Sequence, residues 1–234
     1  MNSREENEMG DGDTEGIDDA GVSSWFASHV ANARPPLRYE LIAGGHSNLT
    51  YLLTSADERW VLRRPPFGSK VKSAHDMSRE YRILSALKDV YSYGPVPIHF
   101  CGDHSVIGCD FYLMNYIQGL VIRREYPTNL NLSPDQIRTQ LLNFFDVLGD
   151  LHSVDLVEAG LDTFGKPVGY VRRQVEGWSR RWVDAVTPDT VSCDNTIQWL
   201  NDNMPKESGK YSVIHNDYKP VSYTHLTLPT NREV

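Results

Sequence analysis

Apolar positions along this chain change rhythm part-way. They come first in short runs of strand length and later in longer stripes at helical spacing. Residues 37–43, 50–54 and 60–64 read as three strands, joined by the turn-forming stretches Gly44-Gly45-His46-Ser47-Asn48 and Ser55-Ala56-Asp57-Glu58. Residues 95–100 and 111–117 add two more, with 102–110 as the turn between them, so the pattern predicts a five-stranded antiparallel lobe. Inside that lobe, 73–90 repeats Met77, Tyr81, Leu84 and Leu87 at helical spacing, with Ser73 as cap and Asp76 in the first turn. An earlier short helix is expected from Ser23 or Ser24 through Trp25, Phe26, His29 and Val30, ending near Pro35-Pro36.

Beyond Gln118-Gly119, which breaks the fifth strand and forms a natural hinge, the pattern turns helical. Ser133-Pro134-Asp135-Gln136 is a helix start with a capping serine, proline at the first helical position and glutamine at the third. Ile137, Leu141, Phe145, Leu148 and Leu151 form the expected buried stripe, and His152 closes the helix as a packing or capping residue. Residues 168–186 and 190–203 read as two more helices. Then 205–210 links to Tyr211-Ser212-Val213-Ile214, read as a short buried strand. A sheet lobe followed by a helical lobe makes the fold class α+β.

Composition narrows the picture. Residues 1–22 carry Glu5, Glu6, Glu8, Asp11, Asp13, Glu15, Asp18 and Asp19 against Arg4, and read as a disordered acidic tail. A net charge of −8 argues against a general nucleic-acid binder, which needs a basic footprint. Cys101, Cys109 and Cys193 are odd in number and lack a C-x-x-C spacing, which suggests buried thiols in a reducing cytosol. No apolar stretch reaches the about 18 residues of a membrane span, and the acidic N-terminus has no secretory signal, so the expected location is cytoplasmic.

The chemistry concentrates in His215-Asn216-Asp217-Tyr218-Lys219-Pro220. A strand that delivers His-x-Asp into a loop is where protein kinases keep the Asp that takes the substrate hydroxyl proton, with a metal-holding Asn five residues on. Asp217 and Lys219 fit as catalytic residues, while Ser222 stands at the Asn position, so no metal ligand is assigned. The turn with Gly44, Gly45, Ser47 and Asn48 brings backbone amides where phosphate oxygens can approach, or simply closes a hairpin. Arg63 or Arg64, with Arg63 favoured, takes the phosphate-binding place on the third strand, one facing the cleft and the other solvent. Glu80 is the candidate partner of Arg63, or else an exposed Glu in local ion pairs. Backbone groups from Asn115 to Ile117 either meet an adenine edge or belong to a plain core strand. Arg172, Arg173, Arg180 and Arg181 make a solvated basic face, or a site for the phosphates of a large acyl carrier.

The segments Gly44-Gly45-His46-Ser47-Asn48-Leu49-Thr50, Val61-Leu62-Arg63-Arg64-Pro65-Pro66, Arg79-Glu80-Tyr81 and 213–220 together resemble the aminoglycoside phosphotransferase-like (choline kinase/APH) family. The resemblance covers residues 36–220. It is closest to the branch fused to, or encoded beside, acyl-CoA dehydrogenases. It implies a protein kinase-like two-lobe fold, with a five-stranded antiparallel N-lobe and an incomplete, mainly helical C-lobe. It also implies ATP- and magnesium-dependent phosphorylation of a small-molecule hydroxyl, with a hydroxyacyl-CoA as the suggested acceptor and an acyl-CoA dehydrogenase as the suggested partner. The expected division is an acidic tail over 1–22, an N-lobe over 23–118, a partial C-lobe over 119–220 ending in the catalytic loop, and a non-native tail over 221–234. That last segment matches nothing expected of the family and reads as adapter-derived sequence after a broken reading frame, so the chain is expected to be a fragment with little or no catalysis. The alternatives are a non-catalytic pseudokinase module that binds a nucleotide or acyl carrier, and a kinase for an amino alcohol or an aminoglycoside.

Overall fold

The structure is a computed structural model, and it describes residues 16–31, 33–42, 48–68, 75–119, 122 and 130–219. Two compact units divide the chain: residues 1–147 with 217–234, and residues 148–216. The division lies within one long helix.

The first unit is built on five antiparallel strands: β1 (Arg38–Leu41), β2 (Leu49–Ser55), β3 (Glu58–Arg64), β4 (Pro97–Cys101) and β5 (Phe111–Asn115). Their order is β1-β2-β3-β5-β4, so β5 lies between β3 and β4. Alternation along the strands sends Tyr51 and Leu53, Trp60 and Leu62, and Phe111 and Leu113 to one face. Helix α1 (Asp19–His29) covers that face with Val22 and Phe26, both fully buried. Phe26 meets Trp60 edge to face at 5.4 Å, and Trp25 meets Phe111 at 5.0 Å, geometries that add to the area they bury. Helix α2 (Met77–Leu87) packs near β4 and β5, with Tyr81 against Phe100 and Tyr112.

Several elements differ from their sequence reading, each for a local reason. Helix α1 begins at Asp19, not after Ser23, because Asp18 caps it through Gly21 N at 3.2 Å. Asp18 and Asp19, counted with the acidic tail, are therefore a cap and a first-turn residue, and Ile17 before them is buried in the core. Helix α2 is capped by Asp76, whose carboxylate accepts from Arg79 N at 2.8 Å; Ser73 lies outside the described residues. The turn at 102–110 contains a short helix, α3 (His104–Ile107), capped by Asp103 and ended by Gly108 at φ +79°.

Helix α4 (Pro134–His152) starts as its capping box dictates: Gln136 N donates to Ser133 Oγ at 3.2 Å, and Ser133 N donates to Gln136 Oε1 at 2.8 Å. Its expected stripe buries only in part: Leu151 is buried and Ile137 and Leu148 are half-buried. Leu141 and Phe145 are exposed, Phe145 at 62%, while Gln140 and Val147 turn inward. The partners decide this: Tyr91 donates its hydroxyl to Val147 O, and Tyr218 stacks on Phe144 at 4.2 Å. Pro134, Ile137, Leu141, Leu142 and Phe145 are left around a shallow apolar hollow.

The second unit holds the end of α4, then α5 (Tyr170–Ala185) and α6 (Asp194–Asp202), which contact each other. Arg173 folds back onto the carbonyls of Lys166 and Val168, and Glu207 accepts from Gly169 N. Residues 211–215 form no strand: Tyr211 and Ile214 are exposed, and among the described residues no strand pairs with them. An extended run needs a neighbour for its backbone donors and acceptors, so the apolar pattern alone did not make one.

If α1 is integral to the sheet lobe, Phe26→Ala removes a ring from a filled core and lowers stability by about 3–5 kcal/mol, read by urea unfolding.

Candidate functional site

Consecutive residues on a strand face opposite ways, and β3 gives its two arginines different fates. Arg64 is 7% exposed, although one arginine of this pair was expected in solvent. It donates to the carbonyls of Gly16 and Pro65 and lies 4.7 Å over the Phe67 ring, partners that let a guanidinium be withdrawn from water. Arg63 faces the α2 side. Its Nε donates to Glu80 Oε2 at 2.8 Å, with both side chains 32% exposed. Among the described residues neither Nη atom of Arg63 has a hydrogen-bond partner.

Glu80, in the first turn of α2, collects two more donors. The Tyr112 hydroxyl reaches Oε2 at 3.0 Å, and Asn48 Nδ2 reaches Oε1 at 2.7 Å. Asn48 Oδ1 in turn accepts from His75 Nδ1 at 2.7 Å, which requires the proton on that ring nitrogen. Burial pushes the Tyr112 phenol well above its ordinary value, and the Glu80 charge adds to the rise while Arg63 opposes it. The structure thus gathers Asn48, Arg63 and Glu80 as one cluster. Gly44, Gly45 and Ser47 lie outside the described residues.

Sequence reasoning missed Tyr112 and His75. Tyr112 stands directly across from Arg63 in the β3–β5 register, and its alternation with Phe111 and Leu113 would have put it on the Arg63 face once that register was known. His75 carries no local signal beyond preceding the Asp76 cap. At the hinge, Asn115 N donates to Val96 O at 2.9 Å and Asn115 Oδ1 accepts from Val96 N at 2.7 Å, so both groups are spent on the adjoining chain. Ile117 is half-buried just past β5.

The His-x-Asp loop belongs to the first unit from Asp217 onward. Asn216 takes a left-handed turn at φ +63°, which asparagine tolerates better than most residues. Tyr218 then anchors the loop, donating its hydroxyl to Phe144 O at 2.8 Å as well as stacking on that ring. Asp217, its side chain 73% exposed, receives Lys219 Nζ on Oδ2 at 2.7 Å. A solvated pair of this kind contributes at most about 1 kcal/mol to stability. Among the described residues no three His, Cys, Asp or Glu side chains gather to hold a metal, and Ser222 lies outside them. In the second unit the α5 arginines are dispersed: Arg172 nears Glu176 at 3.9 Å, Arg173 holds backbone, and Arg181 lies 4.6 Å over Trp178. The three cysteines are free thiols, and among the described residues no helix is long and apolar enough to cross a membrane.

Comparison with known proteins gives these contacts a context. The sequence profile of the phosphotransferase enzyme family (APH) matches residues 38–221. Mouse acyl-CoA dehydrogenase family member 10 is 35% identical over 175 residues, and human acyl-CoA dehydrogenase family member 11 is 33% identical over 207. These alignments take in 75% and 87% of the chain but only 16% and 26% of the relatives' own lengths. A Ralstonia eutropha protein assigned as an aminoglycoside phosphotransferase superposes with a TM-score of 0.71 at 29% identity, over 86% of this chain and 58% of that one. Aminoglycoside 2'-phosphotransferase-IIIa, solved with GDP, shares the fold at a TM-score of 0.55 and 17% identity, over 80% and 59% of the two chains.

Two outcomes follow from the geometry. Tyr218→Ala releases the loop, raising amide exchange across 215–219 in mass-spectrometric hydrogen exchange, whereas Tyr218→Phe keeps the ring stack and raises it less; equal exchange in both variants contradicts the anchor. Tyr112 keeps its proton in the folded state at a pH where the unfolded chain has lost it, so its contribution is complete below the unfolded value of 10.0 and is lost as pH rises above it. Melting temperature therefore falls as pH rises above about 10, and Tyr112→Phe makes that fall shallower.

Proposed function

The chain belongs to the APH phosphotransferase enzyme family, and from that premise we propose that it is the ATP-binding part of a kinase that phosphorylates a hydroxyl of a hydroxyacyl-CoA. The family carries the coarser statement, a phosphotransferase with a small-molecule acceptor on a protein kinase-like α+β fold. The acyl carrier is supported by the relatives, which are named as acyl-CoA dehydrogenases, and an acyl-CoA dehydrogenase domain is the proposed partner.

The observation that carries the proposal is the way Arg63 is held. Its Nε is spent on Glu80, and both terminal nitrogens lack partners among the described residues. A guanidinium fixed at one edge presents a fork that matches two phosphate oxygens, which an ammonium at this place could not do while also holding the carboxylate. These residues fit a nucleotide's phosphates. ATP, when bound, supplies the phosphoryl group. Arg63 neutralises phosphate charge, Glu80 fixes Arg63, and Asp217 orients the acceptor hydroxyl and takes its proton at the carboxylate. Lys219 supplies positive charge beside that carboxylate. Transfer of this kind depends on positioning and charge more than on covalent chemistry by the protein.

Magnesium is expected of such a kinase, but the described residues do not gather a donor set for it, so no step here runs through a metal. A second reading is a pseudokinase module that binds a nucleotide or acyl carrier without catalysis.

ADP release, measured on the 234-residue chain and on a form extended with the relatives' following segment, separates the readings. Hydroxyacyl-CoA esters, choline, homoserine and an aminoglycoside serve as acceptors. Turnover is expected from the extended form with the hydroxyacyl-CoA, and Asp217→Ala should reduce it by about 10²–10⁴-fold. Full activity after that substitution sinks the base assignment, and preference for choline or an aminoglycoside sinks the acyl acceptor.

A further inference from the structure

We propose that Asn48 and Tyr112 are positioning residues of the phosphate clamp: they lock the Glu80 carboxylate from both sides and so aim the free fork of Arg63. The proposal rests on the nucleotide reading of Arg63 given above and adds two residues to it.

An Arg–Glu pair that is one-third exposed is a weak orienting device. Both side chains are long, water competes for the carboxylate, and the contact here is a single Nε bond. Alone, the carboxylate would be free to pivot and Arg63 would follow it. The structure removes that freedom with two neutral donors. Tyr112, across the sheet on β5, shares Oε2 with Arg63 at 3.0 Å, and Asn48, just before β2, holds Oε1 at 2.7 Å. Four elements thus converge on one carboxylate, and each oxygen has a neutral donor that a change in ionic strength does not screen.

Asn48 is held as firmly as it holds. It is 5% exposed and its amide is engaged at both ends, Nδ2 on Glu80 and Oδ1 on His75. A buried amide with one end unmet would be costly, so this double engagement selects one orientation of the side chain. Tyr112 is held by burial and by Tyr81, 6.2 Å away edge to face. With Glu80 fixed, the Arg63 guanidinium keeps Nε on the carboxylate, while Nη1 and Nη2 have no hydrogen-bond partner among the described residues.

The decisive readout is the Arg63 Nε–H cross-peak in a ¹⁵N spectrum, identified by its loss in Arg63→Lys, together with ATP affinity by calorimetry. In the wild-type chain that proton is expected to exchange slowly with water. Asn48→Ala and Tyr112→Phe should each speed its exchange by about tenfold or more and weaken ATP binding by about tenfold, the equivalent of 1.4 kcal/mol. Tyr112→Phe keeps the buried ring, so it carries the test if Asn48→Ala fails to fold by circular dichroism. An unchanged cross-peak in the folded variants overturns the proposal. So does faster exchange with unaltered ATP affinity, because the clamp would then have no bearing on the ligand. If the wild-type chain binds no ATP while the cross-peak responds as expected, the positioning stands and the nucleotide reading of Arg63 is what falls.

Discussion

A carboxylate drawn partly out of water has to be met by donors, and Glu80 is met by three, from Asn48, Arg63 and Tyr112. No two of these come from the same strand or helix. The cluster therefore exists only when β2, β3, β5 and α2 are assembled in one register, which makes it a polar counterpart of the hydrophobic core on the other face of the sheet. That core, with Phe26, Trp60, Leu62 and Phe111 at its centre, sets the sheet's geometry by burial. The polar cluster then uses the geometry, since its bonds of 2.7–3.0 Å tolerate little displacement of the strands.

Arg63 and Arg64 show how one sheet separates structure from chemistry. They are adjacent and identical in type, and the strand's alternation alone sends them apart. Arg64 is consumed by carbonyls and an aromatic ring and serves the fold. Arg63 is bound at one edge and keeps its fork. A side chain buried against internal acceptors has little left to offer a ligand, and one held at a single atom is placed and still partly exposed.

The His-x-Asp loop uses another kind of support. Tyr218 carries it on the side of α4 through a ring stack and a hydroxyl bond, leaving Asp217 and Lys219 in solvent on either side of the anchor. That docking also selects which side of α4 turns inward. Leu141 and Phe145 are left exposed although they belong to the more regular stripe. Helical periodicity says that a face is apolar; the neighbour that arrives decides which face is covered.

What the sequence by itself determined is what depends on near neighbours. The strands are legible as runs between turn residues, the α4 start in Ser133 and Gln136, and the family in the motifs around Arg63, Glu80 and Asp217. The Arg63–Glu80 pairing was also within reach, because a strand followed by a helix leaves few places for its partners. Only the tertiary structure decided the rest: that Tyr112 and His75 join the cluster, that Arg64 is buried, that Asn115 N and Oδ1 are spent on Val96, and that 211–214 is not a strand. Each of these turns on which distant segment lies opposite, and strand register and helix packing are set by the summed burial of the whole core, a quantity that no local window of residues contains.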